Sequence, residues 1–380
     1  MMKRFTVAVS LIAASILPGR LATACPFCNA VSQTLRQEMA VMDAVVIARS
    51  VDDPPPNEDT GEVSMRIQDV LKGDAHVRPD QTVTATYYGE VESGRLFLLQ
   101  GVDPPELLWS CLPLTPRSAA YVRRLFEVEG DDAARLRFVY EHLNDAETLL
   151  ARDAYDEFAL APYETVRQIR DTIDRAQLLD WLDDPELTTD RRRLYYTLLG
   201  IVGGPEDLPR LERRLRSKQK STRGGLDALI ACYLTLAGES GLSTVEELFL
   251  TDPTTPYSDT HAAILALRFH GTEGDVIARS RLSESMALVL DRETMADIVI
   301  PDLARWERWD LIDKMVQLFE SAQKDDNWVR VPVVNYLRAC PLPEADEAIE
   351  RLKKVDPESV RRAGTYFAIP VPARDVAAES

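Results

Sequence analysis

Apolar residues in the C-terminal two-thirds of the chain recur at helical spacing. In the clearest unit, Arg193–Leu215, the residues Leu194, Leu198 and Leu199 lie on one helical stripe. Gly203 and the glycine after it end this first helix, because glycine adopts the backbone conformations that helix ends require. Acidic residues then suit the positively polarised first turn of a second helix. The unit therefore predicts a helical hairpin.

Similar hairpins are predicted upstream and downstream, over Asp145–Ile173, Leu226–Leu250, Ala262–Leu282, Thr294–Phe319 and Arg330–Lys354. The breaks within these units lie 33 or 35 residues apart, near Gly203, Gly238, Gly271, Trp306 and Ala339. One helix pair with two tight turns needs about 35 residues. The pattern resembles HEAT-type repeats, and this resemblance implies an α-α superhelix over residues 126–360. An irregular helical bundle is the alternative, although a bundle does not require constant spacing.

The period of the pattern changes from helical to strand-like nearer the N-terminus, where we predict a small β domain over residues 25–125. Turn segments rich in glycine, proline and aspartate separate four β-rich runs: Ala44–Val51, Val63–Leu71, Thr82–Tyr88 and Arg95–Val102. Four such runs in about 60 residues predict a small antiparallel barrel or sandwich. The predicted fold class is therefore α+β, with the β domain followed by the helical region.

The β domain resembles the netrin-type module, the OB-like barrel that also forms the inhibitory domain of tissue metalloproteinase inhibitors. The runs that carry the resemblance are DAVVIARSV, RIQDVLKGD and GRLFLLQG. An N-terminal cysteine before a helix and Cys111 near the end of the module also fit. The chain has C-P-F-C where that family usually has C-x-C, and it lacks the further cysteines of the animal members. The resemblance implies an inhibitor-like activity through the N-terminus.

Residues 1–24 are typical of a secretory signal peptide. Lys3 and Arg4 precede an apolar core over Phe5–Leu17, which is too short to span a membrane, and an A-x-A cleavage site ends at Ala24. We therefore expect an exported protein, whether periplasmic, extracellular or attached to the cell surface. Cleavage would leave Cys25 at the N-terminus, where a lipid anchor is possible. No other stretch predicts a membrane span.

The five cysteines matter because bridges can form in an exported chain. Cys25, Cys28 and Cys111 are the disulfide candidates, since a bridge from either of the first two to Cys111 would hold the N-terminal helix against the β domain. Cys232 and Cys340 lie on apolar helical stripes and are predicted to be core thiols. The CPFC segment also suggests thiol–disulfide exchange, the one enzymatic alternative in the sequence.

The chain carries a net charge of −18, which argues against nucleic acid as a partner. Its four histidines do not follow a zinc-binding spacing, and no phosphate-loop or dinucleotide motif is present. The sequence therefore predicts neither a metal nor a cofactor. Residues 361–380 are predicted to form a disordered tail.

A compact aromatic and basic cluster is the candidate binding surface. Its members are Arg305, Trp306, Arg308 and Trp309. The three-residue spacing of the two tryptophans predicts that both indoles lie on one helix face, and Trp and Arg are frequent in binding hot spots. Packing between repeats is the alternative. The predicted function is that of a non-catalytic binding or scaffold protein with an unknown protein partner.

Overall fold

The computed structural model describes residues 27–364 except 29–30, 53–54, 58, 220–222, 293 and 324–326. The predicted signal peptide (residues 1–24) and Cys25 lie outside the described residues. An antiparallel sheet is followed by helices, and the helical fraction is 59%. The predicted α+β class is confirmed at this level.

A short helix and a five-stranded sheet form the N-terminal part. Helix α1 spans Leu35–Val41 and begins with a capping box at Thr34. The strands are β1 (Ala44–Ser50), β2 (Glu62–Lys72), β3 (Thr82–Thr86), β4 (Leu96–Val102) and β5 (Leu108–Leu114). Their order is β3-β2-β1-β4-β5, every pair is antiparallel, and the sheet curls into a half-barrel.

The two faces of the sheet belong to different cores. Along β1, Val45 and Ile47 pack against the helices, whereas Val46 and Ala48 face the inside of the curl. This alternation follows from the two-residue period of a strand. Helix α2, Pro116–Glu127, covers β4 and β5 on the helical side and also contacts the helical region. The predicted domain boundary at residue 125 therefore falls inside α2.

Fifteen further helices of the described chain follow α2. They are α3 (Asp132–Tyr140), α4 (Thr148–Leu160), α5 (Tyr163–Arg167), α6 (Arg175–Asp183), α7 (Thr189–Val202), α8 (Leu208–Arg216), α9 (Leu226–Ala237), α10 (Leu242–Val245), α11 (Tyr257–Thr272), α12 (Arg279–Ala287), α13 (Ala296–Arg305), α14 (Ile312–Ser321), α15 (Asn327–Ala339), α16 (Pro343–Val355) and α17 (Pro357–Ala363). Because α17 reaches Ala363, the predicted tail from residue 361 begins too early. Residues 365–380 lie outside the described residues.

Alternate helices of this series pack side by side. Helix α7 contacts α9, α9 contacts α11, α13 contacts α15, and α15 contacts α17. The helices α7, α9, α11, α13 and α15 end at residues 202, 237, 272, 305 and 339, each within one residue of a predicted break. The apolar stripes and helix-ending signals therefore located these helix ends correctly.

Ion pairs between neighbouring helices repeat at a similar interval. Arg193 of α7 donates to Asp227 of α9 at 3.0 Å, and Arg268 of α11 donates to Asp302 of α13 at 2.8 Å. Each arginine lies 34 residues before its aspartate. Both aspartates are buried, so each pair satisfies a carboxylate that would be costly to leave without a partner.

One helical stretch among the described residues, Leu226–Leu250, is long and apolar enough to cross a membrane. It is not one straight helix, because α9 ends at Ala237 and the chain turns at Gly238, whose φ is +63°. A 3-10 turn, α10 and a π turn complete the stretch. The buried share of its apolar window is 56%. A core helix of a soluble protein meets the same criteria of length and composition, so this stretch is weak evidence for a membrane span. The absence of a membrane span stays a prediction.

Candidate functional site

The predicted aromatic cluster does not lie on one helix face. Helix α13 ends at Arg305, and Glu307 adopts a left-handed conformation with φ of +58°. A separate 3-10 turn begins at Trp309. The prediction of a shared face was wrong because the chain turns between the two indoles, and helical spacing no longer applies there.

Both tryptophans are half-buried and pack between helices. A Cβ atom added at Gly271 of α11 would lie 2.3 Å from the ring of Trp306, so this indole rests directly on the α11 backbone. Trp309 packs edge-on against Tyr336 of α15, with 5.2 Å between ring centroids. The tryptophans therefore join α11, α13 and α15, which favours the packing interpretation.

The two arginines of the cluster are held by neighbouring groups. Arg305 donates to Asp302 at 2.8 Å. Arg308 donates to Asp310 at 2.5 Å and to Ser283 at 3.2 Å. Each guanidinium group is therefore held by a neighbouring side chain, although Arg305 is exposed. The role of the cluster as a binding surface stays a prediction.

The predicted bridge to Cys111 is not formed. Cys28 is disulfide-bonded, whereas the thiol of Cys111 is free. The two cysteines lie on opposite sides of the sheet, which keeps them apart. Cys28 packs on the helical side, whereas Cys111 lies on β5 with its side chain toward the inside of the curl. Burial raises the pKa of the Cys111 thiol to about 11, which makes it a weak nucleophile. Cys232 and Cys340 are buried, as predicted.

A large cleft opens at the first turns of α7, α9 and α11, and it is the strongest candidate site. Its volume is about 1280 Å³. The other walls come from the end of α8 and the segment that follows it, and from the π turn and loop before α11. The polar lining includes Arg193, Arg216, Lys218, Arg223, Asp227, Glu247, Asp252, Asp259 and His261.

Charges of both signs line the cleft, and most of them are paired. The Nε–H of Arg193 donates to both carboxylate oxygens of Asp227, with 3.0 Å between Nε and each oxygen. Arg223 forms an ion pair with Asp259 of α11. Lys218 is exposed and forms no ion pair with another described residue. The cleft therefore offers fixed donors and acceptors together with the ammonium group of Lys218.

An aromatic pair borders the cleft. Tyr257 is 56% exposed and stacks on His261, with 6.0 Å between the ring centroids and 8° between the ring planes. Burial and the charge of Arg268 lower the pKa of His261, so its imidazole is neutral at pH 7. The exposed face of Tyr257 is therefore a flat, uncharged contact surface beside the ion pairs.

The described residues contain no group of three His, Cys, Asp or Glu side chains placed to hold a metal ion. Comparison with protein-family models, with curated proteins and with solved structures gives no match to this chain. The function proposed for the cleft therefore rests on its own shape and chemistry.

Sequence reasoning missed the cleft, because its walls come from separate segments that only the fold brings together. The sequence did contain one indication of the cleft, which is the regular spacing of three polar residues. Arg193, Asp227 and His261 lie near the N-terminal ends of three alternate helices, at intervals of 34 residues. Polar residues at repeat-equivalent positions are unexpected on apolar helices, and they could have indicated a shared surface.

Proposed function

We propose that this chain is an exported, non-catalytic binding or scaffold protein that holds a protein partner on a HEAT-like helical superhelix. The regular helix ends and the ion pairs at 34-residue intervals support the repeat interpretation. The curled sheet is compatible with an OB-like module before it. Export rests on the signal pattern in residues 1–24. N-terminal sequencing of the native protein tests export, and a chain that still begins at Met1 would contradict it.

The size of the cleft carries the proposal. Clefts that bind small molecules typically enclose about 300–1000 Å³. At about 1280 Å³, this cleft is larger and lies open across the ends of three helices. Such a shape suits an extended peptide segment better than a compact ligand. The paired charges and the exposed Tyr257 then supply polar and aromatic contacts along it.

Tyr257→Ala is expected to weaken peptide binding by at least about tenfold, since a hot-spot aromatic side chain contributes about 2 kcal/mol or more. Peptides are first selected on the immobilised protein from a random displayed library. Their dissociation constants for the wild type and the variant are then measured by fluorescence anisotropy. Lys218→Ala is expected to weaken the binding of acidic peptides in the same assay.

Tyr88→Ala is the matched control, because Tyr88 is 79% exposed and follows strand β3, outside the cleft. It should leave the dissociation constants unchanged. If Tyr88→Ala weakens binding as much as Tyr257→Ala does, or if neither variant has an effect, the cleft is not the binding site.

A further inference from the structure

Phe27 and the described residues directly before α1 lie across helices that are distant in the sequence. Phe27 is only 2% exposed, and its ring centroid is 5.1 Å from that of Phe269 near the end of α11. Phe269 in turn lies 5.0 Å from Tyr163 of α5, edge to face. Phe27 therefore fills an aromatic pocket in the helical region, at the opposite end of α11 from the cleft.

Backbone groups of the same segment and of the first residue of α1 are bound by side chains of α4. The Ser32 N–H donates to Asp156 Oδ1 at 3.2 Å, and the Leu35 N–H donates to Asp153 Oδ1 at 2.7 Å. Arg152 donates to the Ser32 hydroxyl at 2.6 Å. The helical surface thus holds the segment by its main chain as well as by its aromatic side chain.

This combination is how proteins recognise extended peptides. Main-chain hydrogen bonds supply affinity, and a pocket for one side chain supplies specificity. Asp153 and Asp156 are 4% and 3% exposed, and burial raises the pKa of both, that of Asp153 to about 6. The Tyr121 hydroxyl donates to Asp153 Oδ2 at 2.6 Å, and Arg152 lies 3.7 Å from Asp156 Oδ2. The buried Oδ1 atoms are left for other donors, so this surface favours an occupant that presents free N–H groups.

We propose that the surface of α4, α5 and α11 is a binding site for an extended peptide with an aromatic anchor, and that Phe27 and Ser32–Leu35 occupy it in cis. The segment then acts as an autoinhibitory ligand. An extended segment of a protein partner, with an aromatic side chain followed by free N–H groups, replaces it. This inference rests on the proposal that the helical region binds protein partners, but it concerns a different surface from the cleft.

The test uses the full chain and a fluorescein-labelled peptide with the sequence of residues 26–36, in which Cys28→Ser prevents thiol exchange. Phe27→Ser removes the anchor from the protein. Ser32→Pro removes one N–H donor and the hydroxyl that accepts from Arg152. Neither variant changes a residue of α4, α5 or α11. Anisotropy titrations should give a dissociation constant at least tenfold lower for each variant than for the wild type. The same peptide with Phe27→Ser should not bind.

Val41→Ser is the matched control in the protein, because Val41 is 72% exposed at the end of α1 and should not change the affinity. Circular dichroism establishes that each variant is folded. Folded variants that bind the peptide no more tightly than the wild type would overturn the proposal. If neither variant folds, the segment is a fixed part of the core and the proposal is equally wrong.

The result is independent of the cleft. Tyr257→Ala should bind the labelled peptide as the wild type does, because Tyr257 and Phe269 lie at opposite ends of α11. If Phe27→Ser and Ser32→Pro bind the labelled peptide no more tightly than the wild type while cleft binding is normal, only the inference drawn here is contradicted. Loss of cleft binding with a working peptide site would contradict only the cleft as the main binding site.

Discussion

Leu199→Asp is expected to unfold the helical region or to lower its free energy of unfolding by about 4 kcal/mol or more. Leu199 is fully buried on α7, which packs against α4, α6 and α9. A carboxylate placed there would lose its hydration without gaining a cation, and the leucine packing would also be lost. Thermal and urea denaturation, followed by circular dichroism, measure the effect.

Leu342→Asp is the matched control for this charge. Leu342 is 42% exposed and occupies the N-cap position of α16, where it makes no side-chain cap hydrogen bond. Aspartate is favourable at that position, so this variant should match or slightly exceed the wild type in stability. If Leu199→Asp melts like the parent protein, the apolar face assigned to α7 is wrong.

The second large effect is a loss of stability in acid that depends on His270. This residue is 2% exposed, and its Nε2 lies 3.0 Å from the Ala231 carbonyl oxygen, to which it donates. Burial lowers the pKa of His270 from 6.5 to about 4, although the carbonyl and Asp275 favour the protonated form. The unfolded chain therefore binds the proton first, and stability falls as the pH drops below 6.5. The expected loss is about 2 kcal/mol at pH 5 and about 3 kcal/mol at pH 4.

The His270→Gln variant separates the effect of His270 on the free energy of unfolding from that of Asp153, which changes stability with pH in the opposite direction. The folded-state pKa of Asp153 is raised to about 6, so Asp153 contributes stability at low pH that is lost as the pH rises through 6. His270→Gln keeps a donor for Ala231 but does not titrate. The difference in unfolding free energy between wild type and His270→Gln should shift by about 2 kcal/mol between pH 7 and pH 5. A difference that is constant across this range would show that His270 is accessible to protons in the folded state.

Much of the fold follows from local patterns in the sequence. Helix ends were predictable because glycines and apolar stripes act within a few residues of one another. Strand β5, Leu108–Leu114, was not among the predicted runs, and it contains Pro113, a residue that is disfavoured inside a central strand. The structure places β5 at an edge of the sheet, where proline is tolerated.

The site predictions failed where they depended on contacts between distant residues. The spacing of Trp306 and Trp309 described a helix, but the turn at Glu307 separates them. Cys28 and Cys111 seemed suitable partners until the sheet placed them on opposite faces. A local sequence pattern does not specify which face of a sheet, or which end of a helix, a distant segment will contact.

Photo-crosslinking from position 257 tests the central claim, that a protein partner binds in the cleft, most directly. Benzoylphenylalanine replaces Tyr257 in one protein and Tyr88 in another, and both proteins are irradiated in cells of the native host. We expect a discrete adduct from position 257, suppressed by a selected cleft-binding peptide, and no such adduct from position 88. Adducts of equal yield from both positions, or an adduct at 257 that the peptide does not suppress, would contradict a partner site in the cleft.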